Sequence, residues 1–235
     1  MGGAVISGFL DYKGNSISYS YYKCQKAETT IFSIHGGGVP GKERVEYIAE
    51  AVRQFNISFL SFDHTGHGLS SGKIKESSLS RRVDEALAIM RLIKDGSNII
   101  VMGTSMGGYI ATEIVRRNKA DALMLFCPAM YTDNAFDLSF GEGFTEEIRK
   151  PLSYLNTNVE ESIRTNTKKS IIFACEDDDV IPEEVISKYW SSIRKSSFGK
   201  KIVLPQCPHW VHKYACDNRK IRNLIIQEIA SFAKL

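Results

Sequence analysis

The chain has 235 residues, with 43% apolar and 24% charged side chains, and its 30 Lys and Arg against 27 Asp and Glu leave a formal net charge of +3. These proportions suit a folded core of α/β-domain size and exclude a disordered segment or a repeat array. The dispersed charge, with only small knots such as "RRNK" and "RKIR", excludes a basic face for nucleic acid or a membrane surface.

The first residues, "MGGAVISGFLDYKGNS", lack the basic start and apolar run of a signal peptide. Gly2 followed by Ser7 is a loose myristoylation pattern that we read as chance. "VISGFL" and "ISYSYYK" flank the turn-rich "DYKGNS" and predict an antiparallel hairpin at a sheet edge. From Thr30 onward, short β-rich runs alternate with helical periodicity. The runs are "IFSI" from Ile31, "ISFLSF" from Ile57, "IIVM" from Ile99, "ALMLF" from Ala122, "IIFA" from Ile171 and "IVL" from Ile202. Their continuous apolar character suits strands buried on both faces, and so a mostly parallel sheet between two helical layers.

Apolar residues three and four apart mark the helices: Val45, Ile48 and Val52; Val83, Leu87, Met90 and Ile93; Ile221, Leu224, Ile225, Ile229 and Phe232. The longest interval between strand starts follows "ALMLF". Its "PAMYTDNAFDLSFGEGFTEEIRKPLSYLN" predicts a small cap insertion at about residues 130–165 of a single domain spanning 1–235. Nowhere do 18 apolar residues run consecutively, so no integral membrane segment is expected. The five cysteines, Cys24, Cys127, Cys175, Cys207 and Cys216, are odd in number and show neither a C-x-x-C pair nor zinc spacing. That points to a reducing, cytoplasmic setting without a metal centre.

The chemistry centres on "GTSMGGY", where Ser105 stands between Gly103 and Gly107 directly after an apolar strand and before a helical stretch. G-x-S-x-G in that setting places a serine at the apex of a sharp strand-to-helix turn, and the glycines relieve crowding where strand and helix approach. A serine hydroxyl needs a base to take its proton and a carboxylate to orient that base. In the order serine, acid, histidine that accompanies this elbow, His35, His64 and His67 come too early. His209, in "LPQCPHW" after the last strand, is preferred, and His212 is the alternative. His64 and His67 read as loop residues satisfied by hydrogen bonds rather than as substrate contacts. The run Glu176 to Asp179 follows the penultimate strand; four adjacent carboxylates repel unless compensated, so at least one is expected to meet a histidine.

Together these segments resemble the α/β-hydrolase superfamily over nearly the whole chain. "SIHGGG" resembles its oxyanion loop, "SFDHTGHGLSSG" its D-x-x-G-x-G-x-S segment, "GTSMGG" its nucleophile elbow, "EDDDVIP" its acid loop and "CPHW" its histidine loop. The resemblance implies an eight-stranded, mostly parallel sheet and selects Asp178, four places before the proline, as the acid. It also supports His209 as the base, and it assigns the oxyanion hole to the backbone N–H groups of Gly37 and Met106; the triple glycine also resembles hormone-sensitive-lipase-type esterases, in which Gly38, otherwise a candidate substrate-binding residue, shares that task. "HGGGVPGK" and "FDHTGHGLSSGKI" are most similar to small bacterial cinnamoyl- and feruloyl-esterases and to serine aminopeptidase-like hydrolases. The departures are Pro208, where a glycine commonly precedes the histidine, and the nearby Cys207.

The expected activity is hydrolysis of a small carboxylic ester through an acyl-enzyme, without cofactor, by a monomer or homodimer. Trp210, Phe136, Phe140, Phe144 and Tyr154 are candidate pocket aromatics, although the cap aromatics equally suit a small core of their own. A thioesterase, an aminopeptidase using Glu142, Glu146 or Glu147 to hold an ammonium group, and a silent binding module are the alternatives.

Overall fold

The chain enters the fold through the expected hairpin. Strands β1 (Ala4–Tyr12) and β2 (Asn15–Lys23) pair antiparallel around Lys13 and Gly14, which take φ values of 46° and 80°. Positive φ at both central positions matches the twist of the flanking strands. The computed structural model describes residues 3–234 apart from 39, 95, 118–119, 166–168 and 196–197. Gly2, and with it the myristoylation pattern, lies outside the described residues.

The remaining strands are β3 (Thr29–Ile34), β4 (Ser58–Phe62), β5 (Asn98–Thr104), β6 (Ala122–Phe126), β7 (Lys169–Asp177) and β8 (Gly199–Pro208). They form one open eight-stranded sheet in the order β1-β2-β4-β3-β5-β6-β7-β8, parallel from β4 to β8. Every predicted run falls on one of these strands, with Ile57 just ahead of β4. β3, β4 and β6 are buried throughout, the unbroken apolar "ALMLF" of β6 and the mainly apolar runs of β3 and β4, with their small hydroxyl residues, being covered on both faces. β8 differs: it is longer than "IVL", lies at the sheet edge, and leaves Val203 half exposed. An edge strand has a neighbour on one side only, so an apolar run there need not be covered on both faces.

Period-two alternation sorts the strand residues between two cores. Leu123 and Leu125 of β6 join Val83, Ala86 and Ile89 of helix α2 (Leu79–Met90) and Ile110 and Ile114 of α3 (Met106–Arg116). Ala122, Met124 and Phe126 point to the other face. There they meet Ile48 and Val52 of α1 (Glu46–Val52), and Ile225 and Ile229 of α8 (Arg219–Ala233). The predicted stripes are thus core-facing, although α2 ends at Met90, before Ile93.

Between β6 and β7 come α4 (Glu142–Arg149) and α5 (Val159–Thr165), with short helical turns at Asp133–Ala135 and Ser153–Leu155. Phe140 and Phe144 of this segment pack edge to face, with ring centroids 4.8 Å apart, and join the core formed with α2 and α3. Helices α6 (Glu183–Ile193) and α7 (Val211–Asp217) flank β8 in sequence and start just beyond the acid and histidine loops. Among the described residues no helix is long and apolar enough to cross a membrane.

Candidate active site

Ser105 sits at the apex between β5 and α3 with φ 52° and ψ −119°, a conformation costly for any residue with a side chain. Three backbone bonds pin it. Its N–H donates to the Phe126 carbonyl (3.0 Å), and its own carbonyl accepts from Gly108 and Ala129 (both 2.9 Å). The glycine before it is sterically required, because a Cβ at Gly103 would come within 2.2 Å of the Gly107 carbonyl oxygen.

Two further loops bring the polar partners to this apex from adjacent strands. His209 follows β8 directly, and its Nε2 lies 3.1 Å from Ser105 Oγ. Its Nδ1 lies 3.1 and 3.0 Å from the two carboxylate oxygens of Asp178, which follows β7. A carboxylate facing Nδ1 fixes the tautomer that carries its proton there, leaving Nε2 to accept from the serine hydroxyl. His209 and Asp178 side chains are each only 6% exposed. Burial pushes the Asp178 carboxyl up, but the His209 bond and the amides of Ile181 and Val180 outweigh it and hold the group below its ordinary value.

The four-carboxylate run is compensated as expected: Asp178 by His209 and two amides, Glu176 by the Gln206 amide at 2.8 Å, while Asp177 and Asp179 face solvent. His212 is turned away from Ser105. Its Nε2 meets Thr104 Oγ1 at 2.8 Å and its Nδ1 meets the Tyr47 hydroxyl at 3.1 Å. Burial, with the charge of Arg44 adding, lowers its pKa to about 3 and so keeps the ring neutral. Cys127 brings its thiol within 4.8 Å of Asp178 and His209 ligand atoms, yet the thiol is directed at the His209 carbonyl and the acid and base are engaged with each other.

The loop after β3 carries Gly36, Gly37 and Gly38 over the start of α3. Met106 opens that helix, so its N–H has no partner within the helix. His35 braces the loop: its Nδ1 meets the Gly36 carbonyl at 2.7 Å, and its Nε2 accepts from the His64 amide at 3.0 Å. Behind it lie His64, bonded to Glu85 at 2.9 Å, and His67, bonded to the Thr65 carbonyl at 3.2 Å. Both are buried and neither lines the cavity, which matches the reading of them as satisfied loop residues, except that His64 Nε2 has no partner among the described atoms. Burial lowers the His64 pKa to about 4.

A cavity of about 320 Å³ opens above Ser105. Gly37, Gly38, Met106, His209 and Trp210 all line it, so the fold brings these predicted residues to one place. Phe136 and Phe140 are the exceptions. Phe136 packs on Tyr109 with ring centroids 6.4 Å apart, and Phe140 sits edge to face on Phe144 and lies 4.7 Å below the Arg82 guanidinium. Their rings pack in or against the core of the β6–β7 segment, and neither lines the cavity. Tyr131, Val180, Val45 and Arg44 also line the cavity, although no motif marks any of them as a cavity residue. They lie in loops and short turns whose approach is fixed only by the assembled sheet.

A family model described as "Serine aminopeptidase, S33" matches residues 25–196. The chain belongs to that family. Its place within the α/β-hydrolase superfamily agrees with the sheet order and the elbow. The human alpha/beta hydrolase domain-containing protein 17B is 28% identical over 120 residues, which is 49% of this chain and 41% of that protein. The chain thus spans about two fifths of the length of the curated relatives it matches. Among solved structures, esterase Pf2001 of Pyrococcus furiosus superposes with TM-score 0.73 at 16% identity, covering 99% of this chain and 92% of that one. Est1E of Butyrivibrio proteoclasticus, with ferulic acid bound, gives 0.69 at 18%, covering 94% and 99%. At such identities the likeness establishes the fold.

Proposed function

We propose that this protein is a serine hydrolase that cleaves a small carboxylic ester through an acyl-enzyme. The observation that carries the proposal is the unbroken line of hydrogen bonds from Asp178 through His209 to Ser105, ending in the floor of a mainly apolar cavity. Ser105 Oγ attacks the ester carbonyl while His209 Nε2 takes its proton, and Asp178 stabilises the imidazolium that forms. The N–H groups of Gly37 and Met106 receive the negative oxygen; one such donor is typically worth about 3 to 4 kcal/mol in the barrier. The intermediate collapses as His209 returns the proton to the departing alcohol oxygen. Water, activated by the same histidine, then releases the acid. None of these steps needs a cofactor or metal.

An aminopeptidase, the activity named in the family description, would need an acid to hold the substrate ammonium. Among the described residues that line the cavity there is no carboxylate, and its one permanent charge is the cation Arg44. Glu142, Glu146 and Glu147 lie on α4 away from the cavity, with Glu147 bound to Lys150 and Asn134. Electrostatics therefore favours an ester, and the same machinery serves a thioester. The odd, scattered cysteines support a reducing, cytoplasmic location.

The experiment is labelling with a fluorophosphonate probe, together with burst kinetics on p-nitrophenyl acetate. Wild type is expected to label and to give a burst, and Ser105→Ala to do neither. A folded wild type that stays unlabelled would instead indicate a hydrolase fold used for binding alone.

A further inference from the structure

The cavity above Ser105 has a charge asymmetry. Val45, Met106, Tyr131, Val180 and Trp210 give it apolar walls, and among the described residues Arg44 alone places a permanent charge on them. Arg44 stands in the short helical turn Lys42–Val45, just after the glycine loop, and is half-buried. Its neighbour Lys42 points the other way, into the fold, where Asp63 (2.6 Å) and Ser18 (2.8 Å) hold it.

Arg44 has no such partner. Among the described residues no carboxylate lies within 4.0 Å of its guanidinium. Glu43, beside it in sequence, turns its carboxylate to the Gly41 amide at 3.0 and 3.1 Å. Arg44 also borders a second, outer groove with Glu43, Lys213 and Asp217, yet neither carboxylate of that groove pairs with it, and Asp178 is engaged with His209. What Arg44 does touch is the exposed indole of Trp210, its guanidinium carbon 6.0 Å from the ring centroid.

That contact pairs the guanidinium with the indole and leaves its N–H donors without a carboxylate among the described residues. Arginine presents those donors in a planar fork that matches a carboxylate bidentately, and an aromatic platform holds the fork in place. A carboxylate arriving on the substrate would meet a cation already in the wall and would displace no protein acid. We propose that the cavity takes esters that themselves carry a carboxylate, with Arg44 as its anchor and Trp210 as the platform. This rests on Ser105 acting as the nucleophile, as proposed above.

The test uses two matched pairs of substrates. On the acyl side, mono-(4-nitrophenyl) glutarate is compared with 4-nitrophenyl pentanoate. On the alcohol side, 4-acetoxybenzoate is compared with phenyl acetate. Taking the ratio of wild-type to Arg44→Gln kcat/KM for each compound cancels its intrinsic reactivity. In at least one pair, Arg44→Gln is expected to lose about tenfold more on the charged ester than on its neutral partner, the scale of one charge-assisted hydrogen bond. Arg44→Lys should recover part of that loss, and added salt should shrink the difference. The pair that responds tells which half of the ester carries the carboxylate.

Equal losses on charged and neutral esters in both pairs would overturn the anchor while leaving the serine mechanism intact. Turnover of the neutral esters that survives Ser105→Ala would overturn the serine mechanism, and the anchor with it.

Discussion

Gly107 lies directly beneath the carbonyl oxygen of Ile34, at the point where α3 crosses the end of β3; a Cβ there would approach that oxygen to 2.3 Å and the His35 carbonyl oxygen to 2.6 Å. Backbone atoms cannot swing aside as a long side chain would. Gly107→Ala must therefore shift the helix from the strand, at a cost of about 1–3 kcal/mol or more. Because the same strand end carries the glycine loop, activity should fall beyond what the lost stability explains. Urea midpoints and esterase rates on the same preparation check this.

Ser105 holds a backbone conformation that glycine adopts freely. Ser105→Gly is accordingly expected to abolish turnover while raising stability by about 1–3 kcal/mol. A variant no more stable than wild type by thermal melting would mean that the elbow holds no such strain.

Asp178→Asn keeps the side chain's shape but changes what it offers His209: the amide can present an N–H to Nδ1 and favour the wrong tautomer. We expect kcat to drop by about 10³- to 10⁴-fold with little change in KM. Labelling by the fluorophosphonate probe should slow in parallel.

His212 makes stability depend on pH. An unfolded histidine titrates near 6.5, whereas burial holds this one to about 3. Between those values the unfolded chain binds a proton that the folded protein does not, so stability falls as pH drops through that window. Each such group contributes a slope of at most about 1.4 kcal/mol per pH unit. His212→Gln should flatten the fall in melting temperature between pH 6.5 and 4, leaving the part due to His64, whose folded value is about 4, and to His35 and His67, which burial also lowers.

The thiols near the site should be unreactive. Cys207 is fully buried, and its hydrogen bond with Cys175 and its desolvation push its pKa well up. Cys175 is raised in the same way by Cys127. With a thiol reagent at neutral pH, exposed Cys216 should react first and without loss of activity. Five thiols should titrate after denaturation.

Much of this protein is legible along the chain because its determinants are local. Unbroken apolar runs such as "ALMLF" mark strands covered on both sides, and the glycines around Ser105 mark a turn too tight for side chains. The order of serine, acid and histidine follows from which strands carry them. Phe136 and Phe140 show where such reading stops: an aromatic residue in a loop serves a cavity or a core equally well until its neighbours are known, and here Phe144, Tyr109 and Arg82 claim those rings.

Period, residue size and local backbone demand are enough to set the strand-helix alternation, the elbow and the residue types that meet there. That His212 turns to Thr104 and Tyr47 while His209 faces Ser105, and that Arg44 stands in the wall of the cavity, is settled by three-dimensional packing. Those outcomes depend on the angle at which loops from separate strands converge. That angle is set by the packing of the whole sheet and its two helical layers, and no short stretch of residues encodes it.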